Sequence, residues 1–219
     1  EHCSSPSVTS DSDDDDTSTT STSSDSGQSK CKVKNCFLKD ISSSTSPYVT
    51  NFQQYKQELT QSLLKLYNKT VFNDKLSNSI YVTWSNLLRT AAGHCIHTVK
   101  NDKPFSIIEI SDKVCDSADR LRDALLHEMC HAACWIIQSE RKDRHGSIWQ
   151  SYGMLATRIH PELPLVRKKH NFVINYPYSY VCLQCGKREG RYRPIRDKAF
   201  CRKCWGPLVT PTMDTPSRS

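Results

Sequence analysis

The chain has 219 residues, 37% of them hydrophobic and 24% charged, with a mean hydropathy of −0.61. That length allows one or two domains with a real core, and no stretch approaches the roughly 18 continuous apolar residues of a membrane span. The net charge of +7 conceals an asymmetry: residues 1–30 hold seven acids against one lysine, leaving a body of +13 behind a tail of −6. A basic body with an acidic appendage points to a polyanion as partner.

In chain order, residues 1–30 are Ser, Thr and Asp with almost nothing apolar, too little to offset chain entropy, so they are expected to be disordered. Serines beside Asp13–Asp16 fit an acid-directed kinase. Residues 31–50 add Cys31, Cys36 and the serines Ser42–Ser44 and read as linker. From Asn51 the composition turns globular. Phe52, Tyr55, Leu59, Leu63, Leu66 and Tyr67 recur at helical spacing, giving an amphipathic helix of about four turns. Ile80–Trp84, Gly93–Val99 and Phe105–Ile110 read as three strands of a small sheet. A long helix is predicted over Asp116–Ile137 with Asp116 or Ser117 as N-cap, and another over Ser147–Ile159, ended by His160-Pro161-Glu162-Leu163-Pro164. The remainder reads as a short-stranded metal module, then a disordered end from Pro211. No signal-peptide pattern is visible.

The most informative motif is His127-Glu128-Met129-Cys130-His131. On a helix the two histidines lie one turn apart on one face, so both can reach one zinc ion, while Glu128 projects where it can act as general base. A catalytic zinc needs a third protein ligand. His145, followed by Gly146, is the favoured candidate; Glu162 and His160 compete. Cys130 and Cys134 read as small buried hydrophobes rather than ligands.

Cys182-x2-Cys185 and Cys201-x2-Cys204 have the spacing of a closed, structural four-cysteine zinc site, which implies a reducing, intracellular setting. Residues 160–219 carry twelve Lys or Arg against four acids, with aromatic residues interleaved. Lys187, Arg188, Arg191, Arg193, Arg196, Arg202 and Lys203 are therefore candidate contacts to DNA, single-stranded or at junctions, with Tyr178, Tyr180, Tyr192, Phe200 and Trp205 available for stacking.

Over about Phe52–Trp205 the chain resembles the SprT-like family of zinc metalloproteases. The resemblance is carried by Trp84 before Arg89-Thr90-Ala91-Ala92-Gly93, by the His127–His131 motif, by His145-Gly146 with Trp149, and by the four-cysteine ribbon. The lead-in Cys31–Leu38, the segment His160–Pro164 and the acidic tail are most similar to the family's acidic-tailed nuclear members. The resemblance implies an α+β fold: a zincin-like core of helices on a small sheet over 51–174, a zinc ribbon over 175–208, and disordered segments at 1–50 and 209–219. It implies a monomeric, chromatin-associated nuclear protease that depends on DNA and cleaves proteins crosslinked to it. By motif match, His127, His131 and His145 hold a catalytic zinc, Glu128 is the base, and Cys182, Cys185, Cys201 and Cys204 hold a structural zinc beside the DNA-contacting surface. The rival readings are a non-proteolytic DNA- or chromatin-binding zinc module and a peptidase of soluble peptides with no DNA role.

Overall fold

The computed structural model describes residues 36–38, 40–141, 144–195 and 198–210. The expectations for the acidic tail and its serines, for Cys31, for Arg196 and for 211–219 lie outside those residues. A short helix α1 (Pro47–Thr50) leads into α2 (Phe52–Thr70). Leu59, Leu63 and Tyr67, four residues apart, are fully buried along one side of α2, as an amphipathic helix on a core requires.

Strands β1 (Ile80–Ser85), β2 (Gly93–Lys100) and β3 (Lys103–Ser111) form a sheet in the order β1-β3-β2. β2 and β3 are an antiparallel hairpin, pairing Gly93 with Ile110 and Lys100 with Lys103. Its two-residue turn, Asn101-Asp102, has φ of 51° and 58°; Asn and Asp tolerate that left-handed region, and the resulting turn matches the strand twist. β1 pairs in parallel with β3. The central strand β3 is the most deeply buried, with Ile108 and Ile110 at 0% exposure.

Helix α3 (Ala118–Gln138) packs on the sheet and on α2, and α4 (Ser147–Ile159) packs on α3. The N-cap of α3 is Ser117, without a side-chain cap bond; Asp116 instead pairs with Arg120 at 3.1 Å and accepts from Asn175 at 2.8 Å. At its C-terminus Ser139 turns left-handed (φ 56°), and the N–H groups of Ser139 and Glu140 donate to the carbonyls of Trp135 and Cys134. This closes the helix and satisfies carbonyls that would otherwise be orphaned. No described helix is long and apolar enough to cross a membrane.

The segment expected to be a linker differs from that reading. Within 36–50, Leu38 (2% exposed) and Ile41 (1%) are buried in the main core beside Phe52 and Leu59. The irregular spacing of Leu38 and Ile41 in a serine-rich stretch gives no periodicity to detect, yet with Phe37 and Tyr48 packed beside them they hold the segment on the core. At the other end, β4 (Tyr178–Cys182), β5 (Arg188–Arg191) and β6 (Leu208–Val209) make a second sheet ordered β5-β4-β6 with its own small core of Tyr180, Cys182, Cys201 and Leu208.

Candidate metal centres

Because α3 runs unbroken through the motif, His127 and His131 fall one turn apart on the helix. The chain then leaves α3 and returns through the bend at 144–146 before α4, which brings in His145. The Nε2 atom of His145 lies 3.2 Å from Nε2 of His131 and 3.2 Å from Nε2 of His127. Two nitrogen ligands of a tetrahedral zinc stand about 3.3 Å apart, given Zn–N bonds of about 2.0–2.1 Å. Both separations from His145 thus already have the spacing that a zinc ion needs, and all three donors lie within 4.8 Å of one another. His145 is the residue that meets His127 and His131; Glu162 and His160, the competing candidates, lie together elsewhere beside Cys36.

Two further groups hold this triad. His127 Nδ1 donates to the Arg167 carbonyl at 2.9 Å, which leaves Nε2 with its lone pair toward the centre. Trp149, 1% exposed, packs its ring 4.8 to 5.6 Å from all three imidazoles and donates from Nε1 to the His127 carbonyl at 3.3 Å.

Glu128 is 7% exposed, and burial pushes its carboxyl up to about 8. It lies against Gly93 at the start of β2: a Cβ there would stand 2.7 Å from Glu128 Cγ and 2.9 Å from Oε1. The sequence motif contains Gly93 but gives no reason for it. The reason is steric, and only the packing of β2 on α3 exposes it. Beside His127 and Glu128 opens a cleft of about 560 Å³, walled by Thr90 and Gly93 on one side and by Leu165, Arg167 and Phe172 on the other. The second wall belongs to a strap over 163–176 that is pinned at several points. Leu163 is buried, His170 Nε2 donates to the Thr90 carbonyl at 2.9 Å, and Arg120 donates to the Val173 carbonyl at 2.9 Å.

The four cysteines also converge. Sγ of Cys182 and Cys204 are 3.4 Å apart, and those of Cys185 and Cys201 are 3.7 Å apart, against about 3.8 Å expected from Zn–S bonds of about 2.3 Å. Each Cys-x2-Cys pair, Cys182 with Cys185 and Cys201 with Cys204, sits on a turn of the same design. Gly186 N–H donates to the Cys182 carbonyl at 2.9 Å, and Trp205 N–H to the Cys201 carbonyl at 2.9 Å, with φ of 70° and 61°. Backbone N–H groups aimed at sulfur favour thiolate, so Cys182 is lowered to about 7 by the Cys185 amide, and Cys201 is lowered by the Lys203 amide. Cys130 and Cys134 are buried in the core, in keeping with their reading as small hydrophobes.

Of the basic residues singled out, Lys187, Arg188, Arg193, Arg202 and Lys203 are exposed on the ribbon, with Phe200 and Trp205 (78% exposed) among them. Arg191 is half-buried and bound to Glu189 at 3.0 Å, so its charge is already partly matched. The ribbon leans on the core through Tyr192, whose hydroxyl donates to the Arg89 carbonyl at 3.0 Å and whose ring lies 5.0 Å from Lys113 Nζ.

Comparison with known proteins agrees with this geometry. The chain is 43% identical over 186 residues to germ cell nuclear acidic protein of Homo sapiens, covering 82% of this chain and 27% of that one. It is 41% identical over 165 residues to the protein of the same name in Drosophila melanogaster, covering 74% of this chain and 16% of that one. An HMG box-containing protein of Schizosaccharomyces pombe is 32% identical over 171 residues, 70% of this chain and 46% of that one. The chain thus spans less than half the length of each of these relatives. No solved structure matches it. The family model described as SprT-like matches residues 60–170, a span that holds the sheet, the three converging histidines, Glu128 and the strap as far as His170. The chain belongs to the SprT-like family, whose domains are metalloprotease-like and associated with zinc.

Proposed function

We propose that this chain is a DNA-dependent zinc metalloendopeptidase, zincin-like in its core, that cleaves proteins crosslinked to or tightly bound on DNA. The observation that carries the reading is the convergence of His127, His131 and His145, with Nε2 of His145 3.2 Å from that of each of the other two, and Glu128 beside them on the wall of an open cleft. Three protein ligands leave one coordination position free, the mark of a catalytic rather than a structural zinc. Zinc held by His127, His131 and His145 would supply Lewis-acid polarisation of the scissile carbonyl and acidify a water molecule.

The chain's own residues do the rest. The cleft takes an extended peptide between the rim at Thr90 and Gly93 and the strap. Glu128, whose carboxyl is raised by burial, accepts as carboxylate the proton of the attacking water and returns it to the departing amine nitrogen. Arg167 fixes the tautomer of His127 through its carbonyl, and Trp149 keeps the three rings from swinging apart.

DNA enters through charge. Lys187, Arg188, Arg193, Arg202 and Lys203 stand exposed beside Phe200 and Trp205, so phosphates can be neutralised while bases stack. Holding DNA next to the cleft restrains a site with little sequence preference to proteins that share that DNA. The names of the relatives, nuclear acidic proteins and an HMG box-containing protein, support a nuclear, chromatin-associated place of action. The ligand sets account for two zinc ions in a monomer, one catalytic and one in the ribbon.

The test incubates zinc-loaded protein with a DNA-binding protein substrate, with and without single-stranded DNA, beside Glu128→Gln. Cleavage only with DNA, abolished in Glu128→Gln while bound zinc is unchanged, is the expected result. Cleavage that ignores DNA would leave a peptidase without a nucleic-acid guide. DNA retention with no cleavage would favour a non-proteolytic binding module.

A further inference from the structure

At the C-terminal end of α4, three more ligand-type side chains meet. Cys36 comes from the lead-in, His160 caps α4, and Glu162 follows two residues later. Cys36 Sγ lies 2.9 Å from Glu162 Oε1 and 3.6 Å from His160 Nδ1, and His160 Nδ1 lies 3.6 Å from Glu162 Oε1. For zinc with bonds of about 2.3 Å to sulfur and about 2.0–2.1 Å to nitrogen and oxygen, the sulfur–nitrogen edge is about 3.5 Å and the nitrogen–oxygen edge about 3.3 Å. Two edges of this triangle are therefore near the size of a zinc coordination face. The third, the thiol–carboxylate contact, is a hydrogen bond that opens when the thiol proton is lost.

Proton bookkeeping fixes how the imidazole faces the cluster. Thr70 has one hydroxyl proton, and its Oγ1 donates to the Leu66 carbonyl at 2.7 Å. The same oxygen lies 2.8 Å from His160 Nε2, so Nε2 carries the hydrogen and donates to it. His160 Nδ1 then presents its lone pair toward Cys36 and Glu162. An outer partner that holds one ring nitrogen protonated while the other faces soft and hard donors is how proteins orient a metal-binding histidine. His160 is fully buried and Cys36 partly exposed, giving a fixed inner ligand and an outer one that an ion can reach.

We propose that Cys36, His160 and Glu162 form a third zinc site, separate from the His127–His131–His145 centre and from the ribbon. Thiolate, imidazole and carboxylate together suit zinc. Its role is to staple the N-terminal lead-in, with Leu38 and Ile41, onto the turn after α4. On zinc binding the Cys36 thiol and, where it is protonated, the Glu162 carboxyl release their protons to solvent, so nothing else is consumed. The proposal stands whether or not the chain is a protease.

The test measures zinc per chain in the full protein after removal of loosely held metal, by mass spectrometry, for wild type, Cys36→Ser and Glu162→Gln. Peptide-resolved alkylation of Cys36 is followed in parallel with added zinc and with chelator. The expected result is one fewer zinc per chain in Cys36→Ser, at least tenfold weaker retention of that ion in Glu162→Gln, and zinc-dependent protection of Cys36 in wild type. Equal zinc content in all three proteins, with Cys36 alkylated at the same rate with and without zinc, would overturn the site and leave a hydrogen-bonded cluster. Because alkylation is read at Cys36 itself in wild type, misfolding of a variant does not blur the outcome.

Discussion

Glu128 sits where it does because residue 93 has no side chain. A Cβ at Gly93 would press on Glu128 Cγ at 2.7 Å, and backbone on one side with a packed helix on the other leaves only the carboxylate free to give way. Gly93→Ala is therefore expected to displace the proposed base while leaving the three imidazoles in place. A displacement of about 1 Å at a reacting group costs about a hundredfold in rate. The check is turnover on a protein substrate alongside zinc content: kcat should fall about a hundredfold with zinc unchanged, and a variant of wild-type activity would show that Glu128 is not held by this contact. At this scale the His-Glu-x-x-His spacing makes three of the site residues legible in the sequence. Gly93 and Trp149 were visible only as motif letters, because a reason that depends on what lies across a helix–strand interface leaves no mark on local spacing. Cys36 with His160 and Glu162 was less visible still, its members lying 124 and 126 residues apart.

Among the elements, the long periodic segments were the readable ones. α4 runs over the predicted residues, and α3 and the three strands of the first sheet differ from theirs by a few residues at the ends. Strong 3.6- or 2-residue periodicity survives folding because it is the pattern of burial itself. The lead-in had no such pattern, and its contribution is one of packing. Truncating a well-buried Leu or Ile to Ala removes about 2–5 kcal/mol. Leu38→Ala and Ile41→Ala should each lower the unfolding free energy of the whole SprT-like domain by an amount in that range, seen as a lower denaturant midpoint with an unaltered slope of the transition. If the midpoint were unchanged, residues 36–46 would be an appendage after all. The left-handed Ser139 and the Asn101-Asp102 turn show the same division: the turn residues announce themselves, whereas a serine closing a helix does not.

Across the whole molecule, the charge asymmetry read from composition becomes a placement. The exposed basic residues of the ribbon lie on a module that the strap and Tyr192 join to the rim of the cleft. Each phosphate contact releases about one counterion, so the slope of log affinity for single-stranded DNA against log salt should flatten by about 0.7 for each of Arg188→Ala, Arg202→Ala and Lys203→Ala. Arg191→Ala should change that slope less, because Glu189 already holds its guanidinium. A titration showing the same slope for all variants would remove the ribbon from the DNA-binding surface.

The fastening of Tyr192 to the Arg89 carbonyl also sets a length. With the ribbon tied to the loop that walls the cleft, a DNA strand bound on the ribbon as proposed would lie at a set span from the three imidazoles, and the molecule would act as a calliper. Under the proposed function, a bulky adduct would reach across the gap and be cut, and each cut would shorten what remains. Once the stub no longer spanned the jaws, digestion would stop by itself and leave a short peptide on the DNA.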